Sequence, residues 1–247
     1  MKEKKVIIVL GATGGIGSAI VTQLKSEQFR LGLLSLSITP FETDSILARP
    51  VDISDLVAVS SFVKNVFSKF GRIDAVVNVI GCPADGAIEN LALDDIKIAL
   101  DIHVMYYFNF IKEVLPIMLR QGCGTFILIN SLRALFPAKN KAAYCLSKAA
   151  ASSLSKVLLK EKFDEGISST VINPGFTDTA FHKYHVRRPY QWVNGVQIPV
   201  LITKPEDIAK AVSFILSLSK GAVIEELNIG RAFIEMDEAV EYKNVCG

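Results

Sequence analysis

Short apolar runs alternating with stretches of helical spacing frame this chain from end to end. Val6 to Leu10 is continuously apolar and, entered from Lys5, predicts a buried strand over 5–10. Ala19, Ile20, Val21 and Leu24 then recur at helical spacing and predict a helix over 15–27. A second strand is expected over 31–36, and a short strand end at Arg49-Pro50-Val51-Asp52. The stretch between them is brief and holds Pro40, leaving little room for a crossover helix. Ser54 reads as the N-cap of a helix reaching Phe70, and Gly71-Arg72-Ile73-Asp74 turns into a strand over 75–79. A long helix over 93–119, a strand over 125–130, a helix over 141–163 and a strand over 169–172 follow. Residues 176–202 lack clear periodicity and read as a flap or insertion. Thr203 reads as the cap of a helix starting near Pro205, with Glu206 completing a capping box, before a last strand over 226–229. Strands and helices alternate without linker or repeat, so one α/β domain over 1–247 is expected, a doubly wound parallel sheet flanked by helices.

Composition narrows the class. Half the residues are hydrophobic and 21% are charged, which excludes a disordered chain. A chain of this length buries about 70–75% of its unfolded surface, so its core needs no disulfide staples. The formal net charge is +2 with basic residues spread along the sequence, which is no nucleic-acid footprint. Cys82, Cys123, Cys145 and Cys246 are scattered, with neither C-x-x-C nor metal-ligand spacing. No metal site is expected, and free thiols fit a reducing compartment. The uncharged run from Val6 to Leu24 follows Lys2, Lys4 and Lys5, but four glycines with Thr13, Ser18, Thr22 and Gln23 interrupt it. The expectation is a cytoplasmic protein with no targeting or membrane-spanning segment.

Chemistry enters at Gly11-Ala12-Thr13-Gly14-Gly15-Ile16-Gly17, between the first strand and the first helix. Glycines permit a tight positive-φ turn and close approach of a ligand, and the helix N-terminus offers free N–H groups to a pyrophosphate. This is a phosphate cradle of a Rossmann-like fold, although its spacing differs from G-x-G-x-x-G. A structural turn would share the same glycines. At the end of the second strand, where such folds meet the adenosine ribose, stand Ser35, Ser37 and Thr39. An acidic residue there would repel a 2′-phosphate; hydroxyls can donate to one, so the expectation tilts to NADP(H) over NAD(H). Asp52 reads equally as a contact to adenine or as a loop carboxylate before a helix. Ser131 ends the fifth strand, and Tyr144 and Lys148 lie four apart on one helix face. An ordinary amphipathic surface helix and an ordinary strand-end hydroxyl are the bland alternatives for these three.

Gly11, Gly15 and Gly17, then Ser131, Tyr144-x-x-x-Lys148 and Asn173-Pro174-Gly175, stand in one order at consistent element positions. With Asp52 and Asn78-Val79-Ile80-Gly81, the sequence resembles the short-chain dehydrogenase/reductase family in its compact form, over nearly the whole chain. The resemblance implies an NAD(P)-dependent oxidoreductase interconverting a carbonyl and a secondary alcohol. It implies that Ser131 orients the substrate oxygen and Tyr144 is the general acid/base. Lys148 then lowers the Tyr144 pKa and binds the nicotinamide ribose. Cofactor contacts are implied for Gly11, Thr13, Gly14, Gly15, Ile16, Gly17, Ser37, Asp52, Ile53, Asn78, Gly81, Tyr144, Lys148, Pro174, Gly175, Thr177 and Thr179.

Several positions depart from the family pattern. Leu10, Val79 and Ile80 replace its usual residues with apolar ones that preserve the turns. His103 stands where the family carries a catalytic asparagine. It reads either as part of a modified proton relay or as a helix histidine without catalytic duty. Arg133, two residues after Ser131, is a candidate for a substrate anion. His182, Lys183, His185, Arg187 and Arg188, interleaved with Phe181, Tyr184, Tyr190 and Trp192, suggest either a basic aromatic lid or a loop packing on itself. The partners expected are a small carbonyl or alcohol substrate and further copies of the chain, as a homodimer or homotetramer through 93–119 and 141–163. The competing reading is a catalytically weak or inactive dinucleotide-binding regulator on the same fold.

Overall fold

The computed structural model describes residues 4–179, 190–193, 196–199 and 202–230. Strand β1 (Val6–Leu10) is buried on both faces, which is why its sequence is an unbroken apolar run. Helix α1 (Gly15–Ser26) follows, then β2 (Arg30–Ser35), β3 (Phe41–Glu42), β4 (Ile46–Pro50), α2 (Leu56–Phe70) and β5 (Ala75–Asn78). The second half runs α3 (Leu93–Leu100), a π-helical turn (Asp101–Met105), α4 (Tyr106–Gln121), β6 (Gly124–Ile129), α5 (Ala142–Lys162) and β7 (Ile167–Pro174). It closes with β8 (Tyr190–Val193), β9 (Val196–Pro199), α6 (Pro205–Ser217) and β10 (Glu226–Ile229).

Eight strands form one sheet in the order β10-β7-β6-β5-β1-β2-β4-β3, parallel except for the short edge strand β3. Alternation along β1 divides the core between the two faces. Val6, Ile8 and Leu10 meet Phe62 and Val66 of α2 and Tyr107, Phe110 and Val114 of α4. Ile7 and Val9 meet Ile20 and Leu24 of α1 and Ile208, Val212 and Ile215 of α6. Each of these aliphatic side chains contributes roughly 1.5–3 kcal/mol by leaving water. Because the strands are parallel, Gly11, Asn78, Ser131 and Gly175 emerge together at their carboxyl ends, where open α/β sheets hold ligands.

The connection from β2 to β4 contains no helix, as its length predicts, but it does contain β3. Thr43 makes the turn, its Oγ1 accepting from the N–H groups of Ser45 (3.3 Å) and Ile46 (3.0 Å). Strand β4 therefore begins at Ile46, ahead of the strand end expected at Arg49. Helix α2 is capped by Asp55 and not Ser54, because the Asp55 carboxylate accepts from Val57 and Ala58, both at 2.9 Å. The helix expected over 93–119 is three pieces, with the Tyr106 N–H bonding the Asp101 carbonyl across the π turn. Thr203 does not cap α6; its backbone bonds Phe176 and Asp178, leaving Lys204 as N-cap with no side-chain hydrogen bond and Pro205 at the first helical position. Within the expected flap, β8 and β9 pair as an antiparallel hairpin. Of the candidate lid residues, Phe181, His182, Lys183, Tyr184, His185, Arg187 and Arg188 lie outside the described residues. Among the described residues, no helix is long and apolar enough to cross a membrane.

Candidate active site

The glycine turn is held from below. Gly11 adopts φ +81°, and the N–H groups of Gly11 and Ala12 both bond the Leu34 carbonyl of β2, at 2.9 and 3.2 Å. A side chain on Gly17 would lie 2.1 Å from the Gly11 carbonyl oxygen, so the helix can start this close to the turn only with glycine there. Gly14, the N-cap of α1, offers no side-chain cap, and the first turn carries no acidic residue. The unpaired N–H groups and positive dipole end of α1 thus carry no carboxylate from its own first turn, which fits a dinucleotide pyrophosphate. Thr179 closes the other side, its Cγ2 lying 2.6 Å from where a Gly15 Cβ would stand. At the adenosine end, Thr13 Oγ1 lies 2.6 Å from Ser35 Oγ and 3.0 Å from Ser37 Oγ, forming an exposed knot of three hydroxyls.

The turn after β5 joins this cradle to the Tyr144 helix. The Asn78 side chain accepts from the Ile80 N–H at 3.0 Å, and a Cβ on Gly11 would stand 3.3 Å from Ile80. A Cβ on Gly81 would stand 3.3 Å from His103 Nε2 and 3.5 Å from Lys148 Nζ. Lys148 is buried, and its ammonium lies 5.8 Å from the centre of the Tyr144 ring. The His103 and Tyr144 rings meet edge to face, 5.6 Å between centres. The structure therefore gathers Ser131, Tyr144, Lys148, His103 and Gly81 around one space.

Burial sets the electrostatics here. It pushes the Tyr144 hydroxyl up to about 12, with the Ser131 side chain pulling the other way. Burial also brings Lys148 down to about 8. The net position of the Tyr144 hydroxyl is thus set by desolvation, which outweighs the Ser131 hydrogen bond. His103 is brought down to about 3 by burial and by the Lys148 charge.

Other expected contacts are committed elsewhere. Asp52 accepts from the Ser54 N–H (2.9 Å) and hydroxyl (2.7 Å), an Asx turn that sets up the Asp55 cap and holds its own carboxyl below the usual range. Ile53 is buried in the core beside α2. The Arg133 guanidinium donates to the Phe136 carbonyl at 3.3 Å, while its N–H bonds Ser131 Oγ at 3.1 Å. Pro174 ends β7; the Gly175 N–H bonds Ile229 at 2.7 Å, and the buried Thr177 hydroxyl bonds the Gly175 carbonyl at 3.1 Å.

Sequence reasoning missed the residues that brace these groups. Asn130 Nδ2 donates to Asn173 Oδ1 at 3.0 Å, and Asn173 Nδ2 donates to Glu226 (3.0 Å) and Asn228 (2.9 Å). That network ties together the strands delivering Ser131 and Gly175. An ion pair of Asp85 with Lys141 and a bridge of Gly86 to Lys141 tie the loop after β5 to the start of α5. Ser147 donates to the Tyr144 carbonyl at 3.0 Å; its spacing of three from Tyr144 was the available signal.

Comparison with known proteins agrees with this fold. The profile of the short chain dehydrogenase family matches residues 5–189. A Staphylococcus aureus protein named as an uncharacterized oxidoreductase is 28% identical over 232 residues, covering 91% of this chain and 96% of that one. Among solved structures, 3-ketoacyl-(acyl-carrier-protein) reductase from Brucella melitensis complexed with NADH aligns with a TM-score of 0.80 at 21% identity. The alignment covers 92% of this chain and 97% of that one. ElxO with NADP bound aligns with a TM-score of 0.78 at 21% identity, with the same two coverages.

Proposed function

Because the chain belongs to the short chain dehydrogenase family, we propose that it is an NAD(P)-dependent oxidoreductase interconverting a carbonyl and a secondary alcohol. The observation that carries this reading is the meeting of Tyr144, Lys148 and Ser131 at the carboxyl edge of the sheet, beside an uncapped glycine-turn helix. When bound, the nicotinamide supplies or accepts a hydride. The Ser131 hydroxyl orients the substrate oxygen. Tyr144 gives its hydroxyl proton to that oxygen as the carbonyl becomes an alcohol, and takes it back in reverse. With its pKa near 12, Tyr144 holds this proton throughout neutral pH, which is the form that reduction uses. Lys148, near 8, is mostly protonated at neutral pH; it offsets the phenolate charge as it forms and would hold the nicotinamide ribose of a bound cofactor.

NADP(H) is the cofactor we favour, on the strength of the Thr13, Ser35 and Ser37 hydroxyls, which donate to a 2′-phosphate where a carboxylate would repel it. The solved relatives above carry NADP in one case and NADH in the other. Exposed Ile98, Met105 and Phe108, with Leu146 and Val157 of α5, suit contact with further copies of the chain as a dimer or tetramer. The free thiols Cys82, Cys123 and Cys145 suit a reducing cytoplasm.

Fluorescence titration with NADPH and, separately, NADH is the first test, with tighter NADPH binding expected. Binding of neither overturns the enzyme reading in favour of a scaffold or regulator. Tyr144→Phe then separates chemistry from binding. It should keep the cofactor affinity and lose turnover by about 10²-fold or more; retained turnover removes Tyr144 from the mechanism.

A further inference from the structure

His103 is almost wholly buried on the π turn between α3 and α4, and both its ring nitrogens are taken. Nε2 lies 3.0 Å from the Cys82 backbone nitrogen. That N–H can only donate, so Nε2 must be the bare, accepting nitrogen. The ring proton then sits on Nδ1, 2.8 Å from Ser147 Oγ. Ser147 spends its own proton on the Tyr144 carbonyl at 3.0 Å and so accepts from the imidazole. Every proton in the chain Cys82, His103, Ser147, Tyr144 is thereby assigned, and the ring has no lone pair left to receive one and no free proton to pass on.

We infer that His103 is a positioning residue that acts as a neutral splint. It fastens the Gly81–Cys82 turn, on the cofactor side, to the turn of α5 that carries Tyr144 and Lys148, and it takes no part in proton transfer. The space around it fits this role. Its Nε2 abuts Gly81, its ring meets Tyr144 edge-on, and the titratable groups beside it oppose a second positive charge or leave it unrewarded. From α5 these are the Lys148 ammonium and the Tyr144 phenol; from the loop after β5 it is the Cys82 thiol, pushed up by burial. An imidazolium here would point Nε2–H at the Cys82 N–H. Desolvation and Lys148 hold the ring neutral in agreement with that geometry. Recharging of Tyr144 after each turnover must then pass by another route.

The role of the splint in turnover rests on the proposed oxidoreductase activity; its protonation state does not. Two measurements address the latter. Nitrogen-15 NMR of the histidine rings of the whole protein should give His103 as the neutral Nδ1–H form with no titration between pH 8 and 5. His182→Gln and His185→Gln variants assign the three histidines of the chain. Urea unfolding of the parent should lose up to about tenfold in folding constant per pH unit below 6.5, beyond the loss in His103→Asn, because only the unfolded ring takes up a proton there. With an active substrate, His103→Ala should lower kcat by about ten- to a hundredfold, with cofactor KM within threefold and an unshifted pH profile. A His103 titration between pH 5 and 8, an Nε2–H tautomer, or a limb of the kcat profile that vanishes in His103→Asn overturns the inference. Should no substrate turn over, the activity reading fails while the NMR and unfolding data still decide His103.

Discussion

Replacing Gly17 by alanine sets two physical expectations against each other. Helix propensity alone favours alanine over an interior glycine by roughly 0.5–1 kcal/mol, so a reading from sequence makes the variant more stable. The structure reverses the sign. The new Cβ would stand 2.1 Å from the Gly11 carbonyl oxygen, 3.0 Å from its carbon and 3.2 Å from Ala12 Cα. Carbon–oxygen contacts settle at about 3.3–3.6 Å, so a retreat of more than about 1 Å is required, and all three obstacles are backbone. Gly11 cannot yield freely, because its N–H is bonded to Leu34 at 2.9 Å. Overpacking of about 1–3 kcal/mol plus about 1 kcal/mol for a weakened hydrogen bond gives a net loss of about 1–3.5 kcal/mol after the propensity gain. For a chain of this size that is a fall in Tm of roughly 2–14 °C. Gly14→Ala is the control. Gly14 has φ −67° and its Cβ would lie an ordinary 3.5 Å from the Gly11 oxygen, so its stability should change by less than about 1 kcal/mol. Thermal denaturation with and without NADPH measures both. Gly17→Ala should also bind NADPH at least tenfold more weakly, because the shifted turn carries the phosphate-facing N–H groups. A Gly17→Ala protein as stable as the parent, with parental affinity, would refute the close-approach argument.

The remaining expectations are briefer. Lys148, near 8 when folded and about 10.4 when unfolded, is a buried charge that costs stability below pH 8. Between those values only the unfolded chain holds the proton, so stability should rise from pH 8 towards 10. Tyr144, held up to about 12, acts in the opposite sense above pH 10. Urea midpoints across this range should climb in the parent and stay flatter in Lys148→Met; equal slopes would mean that Lys148 is solvated. Ser37→Asp puts a carboxylate 3.0 Å or so from Thr13 and should shift the NADPH-to-NADH affinity ratio at least tenfold towards NADH; an unchanged ratio would move the 2′-phosphate elsewhere. Asn173→Ala strips the Asn130 amide of its partner and should cost about 2–4 kcal/mol in denaturant unfolding, against nothing measurable if solvent replaces the bond.

Where one residue or one short pattern decides the outcome, the sequence alone was sufficient. The apolar run of β1, the glycine turn and the four-residue step from Tyr144 to Lys148 each express a local rule, and each stands where it was expected. What escaped depends on partners distant along the chain. Thr203 has the chemistry of a cap, yet its backbone is drawn into a bridge with Thr177, and the cap passes to Lys204. Asp52 and Asp55 flank Ser54, and the two carboxylates win the turn and the cap because each oxygen accepts two hydrogens at once. The raised pKa of Tyr144 comes from its burial, which cannot be read from spacing. Asn130 and Asn173 are 43 residues apart and meet only because β6 and β7 are neighbours.

The π turn follows from which positions the fold buries. Buried positions on this stretch run Ala99, His103, Tyr107, two successive steps of four, before Phe110 and Val114 resume the mixed three-and-four spacing of an α-helix. In a regular α-helix each step of four overshoots a turn by about 40°, so two in succession would swing the apolar stripe by about 80°. A single wider turn absorbs that drift and keeps all three side chains facing α5 and the sheet. The wider turn falls on the segment that bears His103. Such turns concentrate at functional sites because they re-aim one side chain without disturbing the helices on either side. Here the re-aimed side chain is the imidazole that meets both Cys82 and Ser147.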